Sequence, residues 1–206
     1  MNVAAKLAAF GTAAIGEAWS NARIMRSPPE PVAPSMSMAG FAHTVRCQPG
    51  DNLAIHHAIA AAAKDSTVLL VVDYGKSVSS GPFGEIMALA CKQRGISGLL
   101  ISGAIRDSQQ ISHLGFPVFA LGKNIAGTTK NDAGQQNCPV IIGDVRINPG
   151  DMVVADADGI VVIDASDITQ AFDAAEARVS KEAEVIERLK SGETTLRIYN
   201  LDSQES

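Results

Sequence analysis

TVLLVV, Thr67–Val72, and GLLIS, Gly98–Ser102, are the two stretches that decide the fold. Each is a continuous β-branched and aliphatic run, the pattern of a strand buried on both faces. Between them lie a Gly- and Ser-rich loop, Tyr74–Gly84, and a helical stretch, Glu85–Arg94, closed by Gly95. Parallel strands need a long crossover, for which a helix is the usual solution, so Thr67–Ser102 reads as a parallel strand–helix–strand unit.

Working outward from this unit, Phe41–Arg46 is predicted as a strand. Pro49-Gly50-Asp51 follows as a turn that caps a helix, in which Leu53, His56 or His57, and Ile59 fall at helical spacing. Further upstream, Ser27-Pro28-Pro29-Glu30-Pro31 breaks regular structure, a loop continues to Gly40, and Val3–Ala22 is expected to be one amphipathic helix. Downstream, a short helix is expected from Arg106 through Ile111, then a strand over Phe116–Leu121. Val140–Ile142, Val145–Ile147, Met152–Ala155 and Ile160–Ile163 are short strands separated by turn residues, which predicts antiparallel pairing. The last helix is expected from Asp167 to Lys190, capped by Ser166 or Asp167 and ended at Ser191-Gly192. The whole is expected to be one α/β domain over 1–206. It comprises an N-terminal helix and loop (1–39), an α/β core (40–164), and a C-terminal helix and tail (165–206).

With 206 residues, 46% apolar and 19% charged, the chain can bury a core without disulfides or structural metals. Its net charge of −5 and lack of any basic stripe argue against a nucleic-acid partner. Cys47, Cys91 and Cys138 are scattered and odd in number, which suits a reducing, cytoplasmic compartment. No apolar run approaches the length of a membrane span, and Lys6 and Glu17 interrupt any signal-like stretch in Met1–Trp19.

Open α/β sheets bind ligands outside the carboxyl ends of their strands. Two such ends adjoin here. One leads through Gly81-Pro82-Phe83-Gly84-Glu85 into a helix, the other through Gly103-Ala104-Ile105-Arg106-Asp107. Helix N-termini offer unpaired N–H groups to anions, and a guanidinium such as that of Arg106 can hold a carboxylate bidentately. Asp107 and Glu85 add oxygen ligands for a hard divalent cation. Together they suit a 2-oxo acid and its enolate. The same Arg–Asp pair could equally be a helix cap with an exposed salt bridge, and spacing alone leaves both readings open. Glu182 falls on the apolar stripe Ile168, Phe172, Ala175, Val179 and Ile186 of the last helix. It either needs a partner there or sits at the stripe's edge and reaches solvent. His56-His57 lacks a third ligand at useful spacing, so one ring is expected to face core and the other water. His43 and His113 are isolated, and Asp156-Ala157-Asp158-Gly159 reads as a tight turn, not a calcium loop.

Taken in order, Gly11-Thr12-Ala13, Gly84-Glu85-Ile86-Met87, Gly98, Gly103, Arg106-Asp107, Asn148-Pro149-Gly150-Asp151 and Asp158-Gly159-Ile160-Val161-Val162 resemble the RraA-like family. That family includes the 4-hydroxy-4-methyl-2-oxoglutarate/4-carboxy-4-hydroxy-2-oxoadipate aldolases. The resemblance implies a swivelling β/β/α-type α/β domain with N- and C-terminal helices, assembled as a homotrimer or homohexamer with sites between subunits. It implies a class II lyase that cleaves 4-hydroxy-2-oxo acids to pyruvate, also decarboxylates oxaloacetate, and uses magnesium or manganese. The backbone amides of Gly84, Glu85, Ile86 and Met87, with Arg106, would bind the pyruvyl carboxylate and oxo group. Asp107 would ligate the metal directly, Glu85 would hold it through water, and Glu182 would contribute a carboxylate from the neighbouring subunit. A metal-associated water would act as base. The chain departs from the aldolase pattern at Glu85 and Ser102, where Asp and Asp or Asn are common, and at Gly143-Asp144, where Gly-Gly is usual. The family also includes protein-binding regulators of ribonuclease E that lack the Asp after the Arg. Asp107 therefore favours the enzyme, whose substrate could also be another hydroxy-oxo acid.

Overall fold

The computed structural model describes residues 2–62 and 67–201. Two short helices open the chain, α1 (Val3–Phe10) and α2 (Thr12–Ala18), followed by two-residue strands β1 (Arg23–Ile24) and β2 (Glu30–Pro31). The central elements are β3 (Met38–Arg46), α3 (Leu53–Ala61), β4 (Val68–Asp73), α4 (Glu85–Gln93), β5 (Gly98–Ile105), α5 (Ser108–Leu114) and β6 (Val118–Lys123). Next come β7 (Gln135–Gln136), β8 (Val140–Ile142), β9 (Val145–Ile147), β10 (Met152–Ala155) and β11 (Ile160–Ile163). A 3-10 turn then leads to the long α6 (Ile168–Lys190) and the short α7 (Thr195–Ile198).

The main sheet runs β1-β11-β10-β3-β4-β5-β6-β2, with β7 added on β3, while β8 and β9 form a separate hairpin. β3 to β6 are parallel, as the two apolar runs predict, and β10 and β11 join antiparallel on the β3 side. The period of two is visible in the packing. Val153, Ala155, Ile160 and Val162 enter the main core, while Met152, Val154, Val161 and Ile163 enter a second core with α1, Ile15, Ala171 and Ala175. The sheet therefore needs the terminal helices to cover its antiparallel part.

Five expectations are corrected. The loop expected to continue to Gly40 contains β2, which pairs with β6, and β3 begins at Met38 and not Phe41 because β10 extends its pairing. The helix expected over Val3–Ala22 is two helices, because Gly11 adopts φ 83° and Thr12 turns to Asp156, donating its N–H and hydroxyl at 2.7 and 2.6 Å. The strand expected to end at Ser102 continues to Ile105, with a register irregularity between Ile101 and Ala104, so the next helix starts at Ser108 and not Arg106. The strand expected over Phe116–Leu121 occupies Val118–Lys123. Neither Ser166 nor Asp167 caps α6 through its side chain, because the chain enters the helix through the 3-10 turn Ala165–Asp167. Asp156–Gly159 is the tight turn expected, with the Asp158 and Gly159 N–H groups donating to the Asp156 carboxylate. Among the described residues, no helix is long and apolar enough to cross a membrane.

Candidate active site

The loops after β4 and β5 meet as their strand ends require. Arg106 N–H donates to the Phe83 carbonyl at 2.9 Å, and Glu85 N–H donates to Asp107 Oδ2 at 3.1 Å. Gly84 is the N-cap of α4 and has no side chain to cap it, so Asp107 fills that role from across the corner. The approach is close enough to require glycine. A Cβ on Gly84 would lie 2.4 Å from Asp107 Oδ2 and 3.0 Å from Arg106 Cγ, and one on Gly81 would lie 2.2 Å from the Asn124 carbonyl oxygen.

Asp107 itself is left-handed, φ 54° and ψ 37°, a conformation Asp tolerates better than most residues but at a cost of about 1 kcal/mol or more. That conformation turns the chain sharply after β5 and aims the carboxylate back at α4. Arg106 and Asp107 are both exposed, and Arg106 Nε lies 3.7 Å from Asp107 Oδ2. The guanidinium is thus near the carboxylate without being spent on it.

A cleft of about 250 Å³ opens at this corner. One wall is Gly84, Ile86 and Met87, the next Arg106 and Asp107. The amides of Ile86 and Met87 stand in the first turn of α4, where the helix supplies no acceptor of its own. Met87 is buried and Ile86 is 80% exposed, so α4 contributes backbone to the cleft more than side-chain polarity.

The remaining wall, Asn52, His56 and Lys130, contains residues that sequence reasoning did not place in the site. Asn52 is buried, its Nδ2 donating to the Pro82 carbonyl at 2.8 Å while its Oδ1 finds no partner among the described residues. His56 faces the cleft instead of the core, while His57 is exposed. Burial first, then the positive charges of Lys130 and His57, hold His56 below the usual imidazole pKa. A usable signal existed. β3 is a third parallel strand, and the rule about carboxyl ends applies to its following turn and to Asn52 and His56 one helical turn apart. Lys130 has no such signal, since it lies in an irregular segment.

Glu85 is exposed beside Asp107. Glu182 is distant in sequence and pairs with Arg178 of its own helix at 2.9 Å, its side chain 46% exposed. Its place on the apolar stripe is therefore satisfied by a cation within the same helix. Ser102 is fully buried, donating to Asp73 Oδ1 at 3.1 Å and accepting from Tyr74 N–H at 2.8 Å, so it ties β4 to β5 and does not line the cleft. Asp144, the other departure, accepts from Arg26 N–H at 3.1 Å, away from the cleft. Cys47 and Cys91 are buried, and burial pushes each thiol up to about 12, which removes them as nucleophiles.

The donor set discriminates among metals. Among the described residues no three His, Cys, Asp or Glu side chains converge, which is the pattern a zinc cage needs. One carboxylate on a fixed backbone with a second beside it, leaving positions for water and substrate, suits magnesium or manganese. Asp107 supplies the fixed carboxylate, and Glu85, whose N–H that carboxylate accepts, carries the second acid at the exposed start of α4.

The RraA-like family model, described as Aldolase/RraA, matches residues 12–162. The chain belongs to this family. Over 152 residues it is 34% identical to the "Putative 4-hydroxy-4-methyl-2-oxoglutarate aldolase" of Halalkalibacterium halodurans, covering 74% of this chain and 71% of that protein. An uncharacterized protein from Pseudomonas syringae pv. tomato shares the fold, with a TM-score of 0.82 at 24% identity over 93% of this chain and 90% of that one. Streptomyces coelicolor RraAS2, described as an unusual member of the RNase ES inhibitor RraA protein family, gives a TM-score of 0.72 at 26% identity over 90% of each chain. Both the family and the α/β class expected from the sequence are found.

Proposed function

We propose that this protein is a divalent-metal-dependent class II lyase that cleaves 4-hydroxy-2-oxo acids to pyruvate and also decarboxylates oxaloacetate. The observation that carries this is the corner itself: Asp107 locked onto the α4 N-terminus with the Arg106 guanidinium alongside. The name of the Halalkalibacterium relative supports the substrate class.

Arg106 and the first amides of α4 would hold the substrate carboxylate and 2-oxo group, placing the reacting carbons over the cleft. Cleavage removes the C4 hydroxyl proton and breaks the C3–C4 bond, leaving the electron pair as the pyruvate enolate. Arg106 donates to the oxygen on which that charge develops, an interaction stronger in the transition state than in the bound substrate. A magnesium or manganese ion held by Asp107, with Glu85 reaching it through water, would polarise the 2-oxo group and make a nearby water a better base. Lys130, which also lines the cleft, provides a cation for a second carboxylate. Burial and the charge of Lys130 disfavour the protonated form of His56 on the same wall.

We further read the assembly as a trimer or a pair of trimers. The outer part of α6 leaves Ile186 half exposed, and in such an assembly Glu182 could turn from Arg178 toward a neighbouring site. The unpaired cysteines accord with a cytoplasmic location.

The test is pyruvate release from oxaloacetate and 4-hydroxy-4-methyl-2-oxoglutarate with magnesium or manganese, then with chelator. Turnover should vanish with chelator, and Arg106→Ala should lower kcat/KM by about 10²–10³-fold. Arg106→Ala with unchanged turnover would refute the role of the corner. The likeness to RraAS2 favours a second reading, a protein-binding regulator of ribonuclease E type. Capture of an RNA-degrading enzyme by a protein that binds no metal and turns over neither acid would select it.

A further inference from the structure

Asp51 lies in the turn between β3 and α3 and is 3% exposed, yet it does not line the cleft. Its carboxylate accepts from three donors. Oδ1 accepts the Leu53 N–H at 2.9 Å. Oδ2 accepts the Thr129 hydroxyl at 2.5 Å and the Asn131 N–H at 2.7 Å. Those two partners flank Lys130. Two backbone bonds close around the same point, from Asn52 N–H to the Thr129 carbonyl at 3.1 Å and from Thr129 N–H to the Gly50 carbonyl at 2.9 Å.

We infer that Asp51 is a positioning residue that acts through Thr129 and Asn131 to hold Lys130 at the cleft that Arg106 also lines. The segment around Lys130 is largely exposed and outside any helix or strand, so its place on the cleft depends on these bonds in the Gly50–Asn52 turn, of which the Asp51 carboxylate alone holds both neighbours of the lysine. Tethering the backbone on both sides of the lysine shortens its reach to a narrow arc, which is how a flexible four-carbon stem becomes a defined anion site. A carboxylate is needed for this, since an amide at the same place loses one acceptor oxygen and sets an N–H against donors. Burial raises the Asp51 pKa, but the Thr129 hydroxyl and the Leu53 and Asn131 amides outweigh it and leave the carboxyl well below the usual carboxylate range. The tether therefore stays charged at any pH where the protein would be assayed.

The inference rests on the lyase reading, in which Lys130 takes the second carboxylate of the substrate. The experiment is steady-state kinetics on 4-hydroxy-4-methyl-2-oxoglutarate with magnesium. It compares the wild type with Asp51→Asn, Thr129→Val and Lys130→Ala, and with each tether variant combined with Lys130→Ala. Thr129 is exposed, so Thr129→Val removes one hydroxyl without endangering the fold should Asp51→Asn fail to fold. KM should rise about tenfold in Lys130→Ala and Asp51→Asn and about threefold in Thr129→Val, with kcat within about twofold. Added to Lys130→Ala, either tether change should do almost nothing more, because no ammonium is left to position. Losses that add fully in the double variants, or an unchanged KM in both tether variants, would overturn the tether while leaving the lyase reading intact. An inactive wild type would remove that reading, and this inference with it.

Discussion

His56 and Lys130 share one wall of the cleft, and the charge of the lysine acts on the ring. Burial, then the charges of Lys130 and His57, lower the His56 pKa, so the folded protein resists protonating it. An unfolded chain protonates the same ring near pH 6.5. Between that value and the lower folded one the unfolded state binds more protons, so the stability associated with His56 is complete above the unfolded value and is lost as pH falls from there through the folded value. Lys130→Met should raise the His56 pKa, read from its imidazole signals by NMR titration, and should flatten the fall in stability on acidification. An unmoved pKa would place the ammonium elsewhere than on this wall. Arg106 and Asp107 could be read from the sequence because they follow a recognisable buried strand. Lys130 could not, since the bonds that bring it in come from Asp51, far away in sequence.

At the scale of elements, the strands with strong patterns were the legible ones. Val140–Ile142, Val145–Ile147, Met152–Ala155 and Ile160–Ile163 fold over the bounds their turn residues define. β1, β2 and β7 are two residues each, too short for any periodicity to register, and β2 contains Pro31, as an edge strand allows. The N-terminal helix was misread for a different reason. Its apolar spacing continues through Gly11, while the break is imposed by Asp156 from the β10–β11 turn. Asp156→Ala removes both bonds to Thr12 and should cost about 1–3 kcal/mol. In a chain of this size that is a fall of about 2–4 °C in Tm per kcal/mol, measurable by calorimetry. A Tm equal to wild type would mean that α1 and α2 dock without this anchor.

Across the whole molecule, the parallel part of the main sheet delivers three turns to a single edge: the turn after β3 with Asn52 and His56, the loop after β4 with Gly84, and the corner after β5 with Arg106 and Asp107. The strain at Asp107, held left-handed between β5 and α5, is stored where the lyase reading puts the chemistry. The reading therefore depends most on what that carboxylate does. Pyruvate release from 4-hydroxy-4-methyl-2-oxoglutarate should be measured with magnesium for the wild type and for Asp107→Ala, alongside magnesium binding by calorimetry. The account predicts turnover by the wild type that chelator abolishes, and an Asp107→Ala protein that is folded, binds magnesium weakly and is inactive. A folded Asp107→Ala protein that releases pyruvate at the wild-type rate would contradict it.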